Sequence, residues 1–215
     1  MNFHTLNTVA EKTAAHLLEV GAVQLKPEAP FTWASGWKSP IYCDNRLTLS
    51  YPQARTFIAE SLSERVRTAY PLAEVIAGVA TAGIPWAALV AQILGLPMLY
   101  IRSSAKGHGK ENLIEGKIEE GAHVVIVEDL ISTGGSSLKA ADAVVEAGME
   151  VAGMIAVFTY GFPLADTNFA EKGIKLETLS NYTTLIEIAV REKRVAADQL
   201  ALLSAWRESP STWGV

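Results

Sequence analysis

The sequence predicts an α/β protein built on a doubly wound, mostly parallel sheet. Over residues 70–180, short apolar segments rich in β-branched residues alternate with longer segments of helical periodicity. Glycine or proline separates many of these segments. The chain has 215 residues, of which 49% are hydrophobic and 19% charged, so it can bury a core without a disulfide or a structural metal. Ligands of such sheets bind outside the carboxyl ends of the strands.

The N-terminal region is expected to form a small hood ahead of the sheet. Apolar residues at helical spacing predict a helix over Thr5–Val20, which Gly21 ends. Aromatic residues alternate with turn residues over Phe31–Asn45, and this mixture indicates a small hairpin rather than a core strand. A second helix is predicted from Tyr51 to about Ala69. We therefore expect one domain, with the hood over about residues 1–50.

An uncharged stretch over Val75–Ile101 is long enough to span a membrane. Glycines and prolines divide it into short pieces, which favours a buried β-α-β unit instead. We predict strands over Val75–Ala80 and Met98–Ile101, with a helix from Pro85 to about Leu94 between them.

The second half of the chain completes the alternation of strands and helices, giving a core over about residues 51–195 and a C-terminal helix over about 196–215. Trp206 is expected to dock that last helix on the core. In chain order, the predicted elements are a loop (Arg102–Gly116), a strand (His123–Glu128), a turn (Asp129–Gly135), a helix (Ser136–Ala147), strands (Val151–Phe158 and Leu176–Leu179), a helix (Tyr182–Lys193) and the helical tail (Ala197–Glu208).

Charge and cysteine usage exclude some classes of function. The formal charge is −5, which argues against general binding to nucleic acid or to an acidic membrane, but not against a local basic patch. Cys43 is the single cysteine, which fits a reducing compartment. A catalytic thiol is the less favoured interpretation, because no neighbouring residue marks it as activated. Met1–Glu11 lacks a signal-peptide core, so we expect a cytoplasmic protein.

The run Val124–Ser137 carries the most informative pattern. An apolar strand ends in two acids, Glu128 and Asp129, and a Ser-Thr-Gly-Gly-Ser turn then opens a helix. Converging N–H groups, the helix N-terminus and three hydroxyls would form a cradle for a phosphate monoester, and the acids suit the hydroxyls of a ribose. The simpler alternative is a helix capped by Ser136 or Ser137. The patterns of P-loop ATPases and dinucleotide-binding proteins are absent from the sequence.

This run resembles the phosphoribosyl pyrophosphate motif of type I phosphoribosyltransferases. The resemblance implies that the acids contact the ribose hydroxyls and that Thr133–Ser136 hold the 5′-phosphate. The resemblance, taken with that of the basic loop described next, assigns twelve residues to the phosphoribosyl pyrophosphate site. They are Arg102, Lys106, His108, Glu128, Asp129, Leu130, Ile131, Ser132, Thr133, Gly134, Gly135 and Ser136.

A basic loop follows the strand that ends at Ile101. Arg102, Lys106, His108 and Lys110 lie close together with two glycines, which fits either a mobile surface loop or a lid over a departing pyrophosphate. With the Asn-Leu-Ile-Glu-Gly sequence that follows, the loop is similar to the catalytic loop of the orotate phosphoribosyltransferase family. The segment Phe31–Pro40 looks like that family's N-terminal signature.

The family resemblance implies transfer of ribose 5-phosphate from phosphoribosyl pyrophosphate to N1 of orotate, in pyrimidine biosynthesis. It implies Lys106, His108 and Arg102 as catalytic residues and Ser132 as an orotate contact. It also implies Mg²⁺ as cofactor, without a dedicated protein metal site, and a homodimer in which the loop enters the neighbouring subunit's site. We expect no nucleic-acid or membrane partner.

Some positions depart from the family pattern. Ala34, Ala82 and Ser103 stand where certain members carry lysine, and no arginine lies near Tyr160. Lys38 or Arg46 would be candidates for compensating charge. Two alternatives stay open from the sequence: a phosphoribosyltransferase for a purine or uracil, and a non-catalytic regulator that binds phosphoribosyl pyrophosphate.

Overall fold

The computed structural model describes residues 6–33, 35–104 and 113–213, beginning with a helix and two small antiparallel sheets. Thr8 caps the first helix, because its side chain accepts from the Glu11 N–H while the Glu11 carboxylate accepts from the Thr8 N–H. Thr5, the predicted start, lies outside the described residues, and the helix begins directly after Thr8. The elements are α1 (Val9–Glu19), β1 (Val23–Leu25), β2 (Phe31–Thr32), β3 (Lys38–Ser39), β4 (Ile41–Cys43) and a 3₁₀ helix (Asn45–Ser50).

The predicted hairpin is confirmed, since β2 pairs with β3 in antiparallel register. Sequence analysis missed β1, which pairs antiparallel with β4. A three-residue strand carries too little periodicity to be recognised from its sequence.

The β-α-β unit follows the predicted pattern. It consists of α2 (Pro52–Ala69), β5 (Val75–Val79), α3 (Gly83–Leu94) and β6 (Met98–Ile101). Among the described residues, no helix has the length and apolar character needed to cross a membrane. The segment predicted as a loop ends in a short strand, β7 (Ile114–Glu115), which pairs antiparallel with β6. That part of the loop prediction was wrong, because two residues of edge strand give no sequence signal.

The remaining elements alternate as expected, with one addition. They are β8 (His123–Ile131), α4 (Gly135–Glu146), β9 (Glu150–Thr159), α5 (Pro163–Glu171), β10 (Leu176–Asn181), α6 (Tyr182–Arg191), a 3₁₀ turn (Ala197–Gln199) and α7 (Leu200–Glu208). The helix α5 was not predicted. Trp206 is fully buried, and its indole N–H donates to the Lys38 carbonyl over 3.1 Å, so the predicted docking of the C-terminal helix is confirmed.

The central sheet has the strand order β10-β9-β8-β5-β6-β7, and all its neighbouring pairs except β6 and β7 are parallel. Its two faces pack on separate apolar layers. Val125 and Val127 of β8 pack into the layer that includes residues of α1, α2, α3 and α6, whereas Val124 and Ile126 pack with residues of α4 and α5. Helices thus cover both faces, and the predicted doubly wound architecture is confirmed.

The central strand β8 is longer than predicted. Its pairing with β5 ends at Val127, but pairing with β9 continues through Leu130 and Ile131. The turn predicted over Asp129–Gly135 is therefore confined to the three residues Ser132, Thr133 and Gly134. Both acids consequently lie on an extended strand at the carboxyl edge of the sheet.

Candidate active site

The turn from β8 into α4 is the centre of the candidate site. Gly134 precedes the helix with φ of +82°, and its carbonyl accepts from the Leu138 N–H over 2.9 Å. A Cβ at this position would lie 2.7 Å from the Phe169 ring, so both the backbone angle and the space require glycine. The capping hypothesis for Ser136 or Ser137 was wrong, because Gly134 is the N-cap and no side chain caps the helix.

Hydrogen bonds from neighbouring residues hold this turn in place. The Asn168 amide donates to the Thr133 carbonyl over 2.8 Å, and the Tyr160 N–H donates to the Ile131 carbonyl over 3.1 Å. The first N–H groups of any α-helix have no partner within the helix, and they carry the positive end of its dipole. A fixed turn that opens directly into α4 therefore presents a ready-made anion site.

The two acids at the end of β8 are held among buried groups of the protein. Glu128 is buried, and one carboxylate oxygen accepts from the Ser137 hydroxyl over 3.1 Å while the other accepts from the Asp129 N–H over 3.1 Å. Burial, with the adjacent Asp129 charge, raises the pKa of Glu128 to about 8. Burial also raises the pKa of Asp129. Glu128 is thus held by its contacts with Ser137 and with the backbone of Asp129.

A buried amide from the hood contacts the same strand. The Asn45 side chain donates to the Asp129 carbonyl over 2.7 Å and accepts from the Cys43 thiol over 3.2 Å. Burial raises the pKa of Cys43 well above its ordinary value, which disfavours a nucleophilic thiolate there. Sequence analysis did not single out Asn45, because a contact between positions 84 residues apart leaves no local signal.

An aromatic cavity of about 330 Å³ opens beside the turn. The rings of Trp33 and Tyr160 lie 5.1 Å apart at its wall, and the predicted orotate contact Ser132 lines it. Lys38 donates to the hydroxyl of Thr32, so an ammonium group lies next to the cavity lining. The lining residues are Thr32, Trp33, Tyr42, Cys43, Leu130, Ser132 and Tyr160.

A second cavity, of about 320 Å³, lies beside the start of α4. Arg102, Ser136 and Lys139 are among its lining residues, with the end of β5 at Val79. The Arg102 guanidinium also pairs with the Glu115 carboxylate over 3.3 Å. Sequence analysis missed Lys139, although its position three residues after Ser136 on one helix could have indicated a shared face.

Lys106 and His108, like Ala34, lie outside the described residues. Arg46, one candidate for compensating charge, forms a two-bond ion pair with Asp44 at 2.6 and 2.9 Å. Within the part of the chain that the structure describes, no group of three His, Cys, Asp or Glu side chains is arranged to hold a metal.

Comparison with known proteins decides the family. Residues 51–188 match the family described as phosphoribosyl transferase domain. The chain is 57% identical over 203 residues to an orotate phosphoribosyltransferase of Cytophaga hutchinsonii, covering 94% of this chain and 97% of the relative. This chain belongs to the orotate phosphoribosyltransferase family. The enzyme of the same name from Porphyromonas gingivalis is 53% identical over 210 residues, covering 98% of this chain and all of the relative.

A solved structure supports the family assignment. The crystal structure of orotate phosphoribosyltransferase from Aeropyrum pernix matches with a TM-score of 0.73 and 29% identity, covering 85% of this chain and 99% of that chain. The resemblance drawn from the motif, the basic loop and the Phe31–Pro40 segment is therefore confirmed, as is the fold that it implied.

The surroundings of Glu128 predict a pH-dependent stability. Its pKa is higher in the folded chain, at about 8, than its ordinary value of 4.5, so folding takes up a proton between those values. The free energy of unfolding should therefore fall as pH rises through this window, by up to about 1.4 kcal/mol per pH unit from this group. In Glu128→Gln, which stays neutral, the fall from about pH 5.5 to about pH 7.5 should be shallower. Urea denaturation at several pH values measures it.

The matched control is Glu146→Gln, which removes an exposed carboxylate from α4. It should leave the pH slope of the unmodified chain unchanged. Equal slopes for the unmodified chain and Glu128→Gln would contradict the assigned environment of Glu128.

Proposed function

We propose that this chain transfers ribose 5-phosphate from phosphoribosyl pyrophosphate to N1 of orotate, yielding orotidine 5′-monophosphate and pyrophosphate in pyrimidine biosynthesis. Relatives more than half identical over nearly the whole chain carry the name of this activity. The structural observation that carries the proposal is that the turn Ser132–Gly134 and the helix it opens contribute residues to two cavities, one aromatic and one cationic. The reaction involves a base, a ribose 5-phosphate and a pyrophosphate, so it needs neighbouring binding sites for all three groups.

The aromatic cavity suits orotate as the acceptor. A flat ring stacks favourably on aromatic side chains, and Trp33 and Tyr160 supply them. Orotate also carries a carboxylate, which adenine, guanine and uracil lack. The ammonium group of Lys38, held beside Thr32, would attract that carboxylate and so favour orotate over the neutral bases.

The turn and the second cavity suit the donor. The N–H groups at the start of α4, with the hydroxyls of Thr133 and Ser136, would hold the 5′-phosphate. Asp129 would accept hydrogen bonds from the ribose hydroxyls, while Glu128 supports the strand through Ser137. The pyrophosphate would then lie toward Arg102 and Lys139, which line the second cavity.

Charge stabilisation and positioning perform the chemistry in this proposal. The bond from C1 of the ribose to pyrophosphate breaks ahead of attack by N1, so positive charge develops on the ribose and negative charge on the leaving group. Arg102, with Lys106 and His108 of the basic loop, would offset the charge on pyrophosphate, and each such contact is worth roughly 2–4 kcal/mol. Lys106 or His108 would serve as a proton donor. Cys43 has no role as a nucleophile.

Mg²⁺ fits this site as an ion brought in with the donor. The ion prefers oxygen ligands and binds through one or two carboxylates together with substrate phosphates. Asp129 supplies such a carboxylate at the proposed ribose site, and the described residues form no three-ligand metal cluster of their own. When bound, Mg²⁺ would neutralise part of the charge on the pyrophosphate group.

The base specificity is tested by a panel of acceptors. With phosphoribosyl pyrophosphate and Mg²⁺, the chain should consume orotate, which is followed by its loss of ultraviolet absorbance, and should leave uracil, adenine, guanine and hypoxanthine unchanged. Asp129→Asn should lower kcat/KM for orotate consumption by about 100-fold, because it removes the charge that accepts from the ribose hydroxyls. Faster consumption of another base would contradict the proposal that orotate is the acceptor. Binding of phosphoribosyl pyrophosphate without turnover would favour a non-catalytic regulator.

Lys139 is predicted to contribute to donor binding. Lys139→Met should raise the KM for phosphoribosyl pyrophosphate about tenfold, because it removes a cation from the second cavity, and it should leave the KM for orotate nearly unchanged. Lys12→Met, on α1, is the matched control and should change neither constant. An increase below twofold in Lys139→Met, measured by steady-state kinetics, would remove Lys139 from the donor site.

We further propose that two copies of the chain share their sites, with the basic loop of one entering the site of the other. Lys106→Ala and Asp129→Ala chains should each be inactive alone. After unfolding and refolding together, random pairing makes half of the dimers mixed, each with one intact site, so about a quarter of the original activity should return. No recovery of orotate consumption in the mixture would show that each chain completes its own site.

A further inference from the structure

Asn45 is a fully buried amide at the junction between the hood and the sheet. It begins the 3₁₀ helix that follows β4 after Asp44, and both ends of its side chain are engaged. The NH₂ group donates to the Asp129 carbonyl at 2.7 Å, and the amide oxygen accepts from the Cys43 thiol at 3.2 Å. A buried amide satisfied in this way has one defined orientation, because rotating it would leave both partners unsatisfied.

The end of β8, which Asn45 contacts, is paired on one side only, whereas the beginning of that strand is paired on both sides. Pairing between β5 and β8 ends at Val127, and the residues that follow continue with β9 as their paired strand in the described chain. Asp129 lies in this extension. Its backbone position therefore depends on β9 and on contacts from outside the sheet, of which the short bond from Asn45 is one.

The other end of the amide leads to the aromatic cavity. Cys43 and its neighbour Tyr42 belong to β4, and both line that cavity. The Asn45 side chain thus connects the wall of the aromatic cavity to the backbone of Asp129, the acid of the proposed ribose site. A displacement of about 1 Å in a group that orients substrate can lower a rate about 100-fold, so a fixed link of this kind matters for the reaction.

We infer that Asn45 is a positioning residue of the transfer reaction, acting through the backbone of Asp129. Its amide fixes the position of the Asp129 carboxylate relative to the aromatic cavity. The ribose hydroxyls and the acceptor ring are thereby held in a defined relative orientation. This inference rests on the proposed function. A purely structural role would give a less stable chain with normal kinetics, and a positioning role gives a folded chain with impaired turnover.

The test compares Asn45→Ala with a control that loses a similar hydrogen bond elsewhere. The hydroxyl of Tyr70 lies 2.8 Å from the Met154 carbonyl and 3.0 Å from the Lys175 carbonyl, at the amino edge of the sheet, away from the candidate site. Tyr70→Phe therefore also removes a buried side-chain donor from a strand carbonyl. Both variants are assayed at a temperature at which circular dichroism shows them fully folded.

We expect Asn45→Ala to lower kcat at least tenfold, with less than a threefold change in the KM for orotate, and Tyr70→Phe to keep kcat within twofold. If Asn45→Ala does not fold, Asn45→Ser, which keeps a small polar group in the buried site, takes its place. A kcat within twofold of the unmodified chain, or an equal loss in Tyr70→Phe, would overturn the inference. Failure of the unmodified chain to consume orotate would instead refute the proposed function.

Discussion

The extension of β8 beyond β5 is the constraint on which the candidate site depends. Because β5 stops while β8 continues to Ile131, the chain carries two acids to the open edge of the sheet before it turns into α4. Gly134 then completes the three-residue turn, in a backbone conformation and a space against Phe169 that only glycine fits. The carboxylates and the unpaired N–H groups of the helix are thereby placed next to each other without another element between them.

Placing a buried and a half-buried acid side by side at this edge is electrostatically costly, and the local contacts show how the cost is reduced. Glu128 is fixed by the Ser137 hydroxyl and by the Asp129 N–H, and its raised pKa lets it hold a proton near neutral pH. The pair then carries less than two negative charges beside the proposed site for phosphate. The cations of the region are spread around it, with Arg102 paired to Glu115 and Lys139 on the first turns of α4.

Much of this arrangement is predictable from the sequence, for reasons that are local. The run from Val124 to Ser137 carries its strand, its acids and its turn within fourteen consecutive residues, so the strand, the turn into α4 and their place in the sheet follow from it. The exact end of β8 does not follow, because the pairing with β9 that extends it is set by tertiary contacts. The strand β7 and the helix α5 likewise lack a distinctive pattern.

The contacts that complete the site could not be predicted from the sequence. The Trp33 and Tyr160 rings meet across more than 120 positions, and Asn45 reaches Asp129 across 84, so only the folded chain brings them together. Ser132 was predicted as a site residue because it lies inside the motif. Lys139 lies just beyond the motif and was not predicted. Residues contributed by distant segments thus determine the shape of the cavities, and the motif determines their chemistry.

The central claim is that backbone N–H groups at the start of α4 hold the phosphate of the sugar. The most direct measurement is a titration of ¹⁵N-labelled protein with ribose 5-phosphate, followed by the amide resonances of Gly134, Gly135 and Ser136. The account predicts that these resonances shift first and most, and that they saturate together. Saturable shifts confined to amides elsewhere in the chain, with these three unmoved, would contradict it.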